Sequence, residues 1–171
     1  YNSLKDRFEL VFKFPDEILP NNSFPVSYSF IDTHNRIWLC TQDYFYLYDT
    51  GTEKIIRLEN NLKENINSVA QQDSIHFFLG TDNGIHYGEL NGTDLLILPQ
   101  HKLNCVSVHV NELFYNHPTR QLFIGTFQKG VFIYDLKKDQ CEQPSTSLSD
   151  ISIHRFRLLD NDHILIATDG A

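Results

Sequence analysis

Apolar residues along this chain fall in short runs bounded by polar turns, and no stretch keeps the 3.6-residue spacing of an amphipathic helix. Four of the runs end in threonine: Trp38-Leu39-Cys40-Thr41, Phe78-Leu79-Gly80-Thr81, Phe123-Ile124-Gly125-Thr126 and Leu165-Ile166-Ala167-Thr168. The threonines stand 40, 45 and 42 residues apart. A period of this length marks a repeated supersecondary unit.

The same punctuation surrounds each threonine. Upstream lies a polar turn, at 32–36, 71–74, 116–120 or 160–163, and before it another β-rich run, at 26–31, 66–70, 110–115 or 151–159. That pattern predicts two strands joined by a hairpin. Downstream, Asp82-Asn83-Gly84 and Gln128-Lys129-Gly130 each supply a glycine suited to a tight turn before a third strand, at 85–90 and 131–136. The first repeat has Tyr44 where that glycine is expected, so its turn, Gln42-Asp43, must differ or strain the backbone. A fourth run follows at 54–58 and 94–98, completing a four-stranded antiparallel unit. In Tyr44-Phe45-Tyr46-Leu47-Tyr48 both faces are apolar, as expected of a sheet covered on each side.

The predicted fold class is therefore all-β, with three complete units and two partial ones. Residues 1–24 form the end of a preceding unit and a linker. Residues 25–65, 66–109 and 110–150 are full units, and 151–171 the first half of another. Units of this kind leave apolar outer faces unless they close into a ring. Further repeats, from a longer parent chain or from a second copy in a homodimer, are implied.

Composition narrows the function classes. The chain has 171 residues, of which 41% are hydrophobic, enough to build a core and to exclude a disordered segment. With 14 Lys and Arg against 22 Asp and Glu, the formal charge of -8 repels phosphate backbones, so no nucleic-acid partner is expected. No apolar run approaches the ~20 residues that cross a bilayer, so this segment is not expected to insert in a membrane. Three cysteines without CxxC spacing argue against a disulfide scaffold. One bridge, such as Cys105 to Cys141, stays open, and Cys40 reads as a buried small hydrophobe.

Four-stranded units of about 40 to 45 residues are the mark of β-propeller blades. The segment Asp32-Thr33-His34-Asn35-Arg36-Ile37-Trp38-Leu39-Cys40-Thr41, continuing to Tyr48-Asp49, resembles the two-component regulator propeller repeat. That pattern runs Asp-x-x-Gly-x-hydrophobic-Trp-hydrophobic-Gly-Thr, then Gly-hydrophobic-x-x-Tyr. The second unit keeps Leu79-Gly80-Thr81 and Gly84-Ile85; the third keeps Ile124-Gly125-Thr126, Gly130-Val131 and Tyr134-Asp135. Asn35 departs from the pattern's first glycine, and Cys40 and Ala167 from its second. The resemblance implies the periplasmic sensor region of a hybrid two-component histidine kinase, with a polysaccharide breakdown product as ligand.

Catalytic signatures are absent from the sequence: no Gly-x-Ser-x-Gly elbow, no phosphate-binding loop, no His-Glu-x-x-His. No cofactor and no metal are expected. His34, His117 and His163 occupy equivalent hairpin turns, too far apart for one ion, and Asp82-Asn83-Gly84 lacks the loop of a calcium site. Ligand contacts are expected on the face where the second strand turns to the third and the fourth passes to the next first strand. The candidates are Gln42, Asp43, Asp82, Asn83, Phe127, Gln128 and Lys129, with longer connections around Asn21, Asn60 and His101. A non-enzymatic sensor is the leading reading; a propeller lyase or quinoprotein-like enzyme and a WD-type protein-interaction scaffold are its rivals. Trp38, on a second strand, is expected between two sheets.

Overall fold

Each apolar run folds as a β-strand. The structure, a computed structural model, describes residues 3–8, 10, 26–41, 44–99, 103, 105–145, 148, 151–160 and 163–169. The first unit contains β1 (Tyr28–Ile31), β2 (Arg36–Cys40), β3 (Phe45–Asp49) and β4 (Lys54–Asn60). The second contains β5 (Ile66–Gln71), β6 (His76–Thr81), β7 (Gly84–Asn91) and β8 (Asp94–Ile97). The third contains β9 (Val110–Asn116), β10 (Gln121–Thr126), β11 (Val131–Asp135) and β12 (Gln140–Glu142); β13 (Ile153–Leu158) and β14 (Ile164–Thr168) begin a fourth. Successive strands within a unit pair antiparallel, and the described residues include no α-helix. One further pairing joins the first two units: β4 runs parallel to β8, with Glu59 opposite Asp94 and Asn60 opposite Leu95. Ahead of the first unit, residues 3–6 form a turn and Arg7 a single bridge position.

Local chemistry explains why the repeat carries the residues it does. Asp32 ends β1 with a carboxylate that accepts hydrogen bonds from the amides of His34 and Arg36, from Arg36 Nε at 2.7 Å and from Trp38 Nε1 at 3.0 Å. One side chain thereby shapes the first hairpin and fixes the tryptophan that follows it. Asn35 stands at φ 58°, the left-handed conformation that a glycine in the pattern would supply and that asparagine tolerates. The recurring threonines close the next turn. Thr41 Oγ1 lies 3.0 Å from Tyr44 O, Thr81 Oγ1 3.1 Å from Gly84 O, and Thr126 Oγ1 2.7 Å from Gly130 O.

The units stack through three apolar seams. Between the first and second, Trp38 is fully buried against Phe77, 4.5 Å between ring centroids, together with Cys40, Leu47, Ile66 and Leu79. Phe78, Val110, Leu113, Leu122 and Ile124 fill the second seam; Val131, Ile153 and Phe156 fill the third. Glycine on the second strand is a packing requirement here. A Cβ on Gly80 would sit 2.6 Å from Ser68 Oγ of its own unit and 2.7 Å from Val110 Cγ1 of the next, and one on Gly125 2.6 Å from Ile153 Cγ2. In each case the next unit's first strand rests where that side chain would be. Cys105, in the connection from β8 to β9, is disulfide-bonded to Cys141 on β12, with Cα atoms 5.2 Å apart, while Cys40 is a buried free thiol. Burial pushes the Cys40 thiol up to about 12.

Candidate ligand-binding site

The turns after β6 and β10 open on one face of the molecule, called here the upper face. Asp82 sits at the first of them. Its Oδ1 accepts from Asn67 Nδ2 at 2.9 Å and lies 3.1 Å from His109 Nδ1; Asn65 Nδ2 is 3.4 Å from Oδ2. Asn67 Nδ2 also lies 3.3 Å from His109 Nε2. This network assigns the ring proton to Nδ1, which donates to Asp82, and leaves Nε2 as the acceptor. Beside it, Glu64 Oε2 stands 2.7 Å from Thr81 Oγ1 and 3.4 Å from His86 Nε2. Burial raises the Glu64 carboxyl, but the Thr81 hydroxyl and His86 outweigh it and hold the group below its ordinary value.

Phe127 begins the second turn. Its amide donates to His109 O at 2.9 Å and its ring stands edge-on to the His109 imidazole, 6.0 Å between centroids, while remaining 51% exposed. Next to it, Gln128 takes the left-handed conformation at φ 56° and donates its amide to Ser152 Oγ at 3.2 Å. Lys129 is exposed, and its carbonyl accepts from Gln143 Nε2. The result is a patch of two carboxylates, two amides and two imidazoles beside an open aromatic ring. Such a patch offers acceptors and donors for hydroxyl groups and a flat apolar surface for a ring. No cluster of three or more metal-ligating side chains occurs among the described residues, and His34, His117 and His163 are exposed in their turns.

At the opposite end of the first strands lies a cavity of about 380 Å³. Its wall combines Phe30, Val69, Leu113 and Phe114 with Thr33, Gln71 and His117. Thr33 and Gln71 hold one another across the first seam, Thr33 N to Gln71 Oε1 at 2.9 Å and Gln71 Nε2 to Thr33 Oγ1 at 3.0 Å.

No protein-family model matches the chain, and no curated protein matches it in sequence. Solved structures do match it in shape. The extracellular domain of the proposed one-component system BT4673 from B. thetaiotaomicron aligns over 95% of this chain with a TM-score of 0.67 at 17% identity. YCF48 from Cyanidioschyzon merolae aligns over 82% with a TM-score of 0.66 at 8% identity. The fold is a β-propeller segment. This chain spans 22% of the first neighbour and 47% of the second, and at these identities the likeness speaks for the fold alone.

In propeller terms, the first strands β1, β5, β9 and β13 follow one another about the axis and the upper-face turns ring one mouth. Five of the sequence candidates lie in these turns. Asp82 and Phe127 are brought together by His109 across the junction of the second and third blades, Gln128 is tied to Ser152 of the fourth, and Asn83 and Lys129 are exposed beside them. Gln42, Asp43, Asn21 and His101 lie outside the described residues, and Asn60 sits at the end of β4, away from this cluster, its Oδ1 accepting from the Leu62 amide. Asn65, Asn67 and His109 were not singled out from the sequence. A positional signal exists: Asn65, His109 and Ser152 precede their unit's threonine by 16, 17 and 16 residues, each just before the first apolar residue of a first strand.

Proposed function

We propose that this chain is a non-enzymatic, ligand-sensing propeller segment of an extracytoplasmic two-component sensor, built from two-component regulator propeller repeats. Its ligand docks on the upper face at the junction of the second and third blades. The observation that carries this reading is the convergence of Asp82, Asn67 and His109 beside the exposed Phe127 ring. Carboxylate and amide groups meet sugar hydroxyls well, and an aromatic face covers the C–H surface of a pyranose, so a carbohydrate breakdown product is the ligand class. The neighbour from B. thetaiotaomicron is itself an extracellular domain, and a Cys105–Cys141 disulfide suits an oxidising compartment. The segment acts as a rigid platform whose blade junctions pass ligand occupancy on to a kinase module elsewhere in the parent protein.

Calorimetric titration of the chain with a panel of neutral and acidic oligosaccharides tests the assignment. Saturable binding by at least one of them is expected. Phe127→Ala and Asp82→Ala should each weaken it by about tenfold or more, equivalent to ~1.4 kcal/mol, with little change in melting temperature. Absence of binding across the panel, or equal affinity in both variants, would reject the site.

A further inference from the structure

Among the described residues, the most deeply buried charged one after Asp32 is Glu112 on β9, whose side chain is 7% exposed. The two carboxylates are treated very differently. Asp32 meets four donors, whereas the Glu112 oxygens receive one nitrogen, Arg155 Nη1 of the fourth blade, at 3.2 and 3.3 Å. The Arg155 side chain is 61% exposed and its guanidinium carbon stands 5.7 Å from the centre of the Tyr28 ring on the first blade. Its Nη2 and Nε make no hydrogen bond among the described residues. Nε–H and one Nη2–H, the two donors on one edge of the guanidinium, are therefore presented beside the axis, in the geometry that grips a carboxylate with two parallel hydrogen bonds.

The surroundings make this Arg–Glu pair a poor resting place for a fixed negative charge. Burial lifts the Glu112 carboxyl to about 7 against the opposing pull of Arg155. Of the strands packed on β9, β5 and β10 carry no titratable side chain, and His76 of β6 is engaged with Asp73 at the far turn. On β13, His154 and Arg157 are exposed. Tyr28, held at Val69 O by its hydroxyl, stays neutral because burial drives its ionisation far above the ordinary range.

We propose that Arg155 is an axial receptor for a small carboxylate anion, and that Glu112 takes up one proton from solvent as the anion binds. The guanidinium keeps its charge throughout and donates to both anion oxygens from Nη2 and Nε. Glu112 becomes a neutral acid, so one negative charge replaces another beside the same cation and no covalent bond is made or broken other than O–H on Glu112. Asp82, His109 and Phe127 play no part, and this site stands or falls separately from the upper-face one.

Sodium acetate serves as the probe, titrated into the chain and followed by NMR, with sodium chloride at matched ionic strength as the blank. Saturable shifts at Arg155 and Tyr28 are expected, with affinity falling about tenfold per pH unit above about pH 7, the slope of one linked proton. Glu112→Gln should bind acetate with no pH dependence. Arg155→Gln should abolish saturation, and Arg155→Lys, which keeps the charge and the fold but loses the fork, should weaken it several-fold. Shifts matching the chloride blank, saturation that survives in Arg155→Gln, or a pH slope that persists in Glu112→Gln would each overturn the proposal.

Discussion

At Asp32 a carboxylate without exposed side-chain surface serves the indole of Trp38, the guanidinium of Arg36 and two backbone amides. Burial pushes this carboxyl up, yet those donors outweigh it and hold it below the ordinary value. A folded value below the unfolded one means stability that is complete above the usual carboxylate range and is lost as pH falls through the folded value. Asp32→Asn should cost about 2 to 4 kcal/mol at neutral pH, since an amide group turns a donor toward donors. The gap to wild type should narrow on acidification below about pH 4 in urea unfolding curves. Trp38→Ala removes the largest buried ring of the first seam and should cost ~3 to 5 kcal/mol by the same measurement; a loss under ~1 would contradict its place there. Asp32 and Trp38 were legible because one short motif contains both. Glu112 and Arg155 were not, since their meeting depends on which faces of β9 and β13 turn toward the axis.

Strands were the most legible elements, because apolar runs of fixed length between turn residues leave few other conformations. The threonine of the first three repeats is a turn-closing hydroxyl, a role invisible in spacing alone. The pattern's second glycine carries a sharper constraint: at Gly125 it is the neighbouring blade that forbids a side chain, and at Gly80 the neighbouring blade together with Ser68 of its own. Gly125→Ala should therefore cost about 1 to 3 kcal/mol, because Ile153 lies on a rigid strand and cannot retreat as a flexible side-chain end would. Unfolding midpoints with an unchanged denaturant slope would check this, and a neutral result would show that the third seam is looser than its packing. Cys40 marks the exception: it occupies the same position in the first blade and is fully buried in the seam with Ile66, so that junction is spaced to accept a thiol. The three-residue β12 gave no apolar run to read, and its register came only with the structure.

Across the whole molecule, the sequence announced blades but not how they are fastened together. The fastenings differ. The Cys105–Cys141 bridge ties the connection ahead of the third blade to that blade's outer strand and encloses β9, β10 and β11 in a loop spanning 36 residues. Replacing both cysteines with serine should lower stability by about 3 to 4 kcal/mol, the loop-closure value for that length, and reductant should lower the melting temperature of the wild type but not of the double variant. The odd cysteine count left this pairing open, because spacing cannot say which thiols meet.

The parallel contact of β4 with β8 bears on how such an assembly is held together. Two backbone pairings stitch the rims of the first and second blades together, so those two blades share one eight-stranded sheet. Among the described residues no strand pairing of this kind joins the second blade to the third or the third to the fourth, where the upper-face cluster and the Arg155–Glu112 pair sit, so a ligand at either place meets a junction held by side chains and turns and not by a shared sheet.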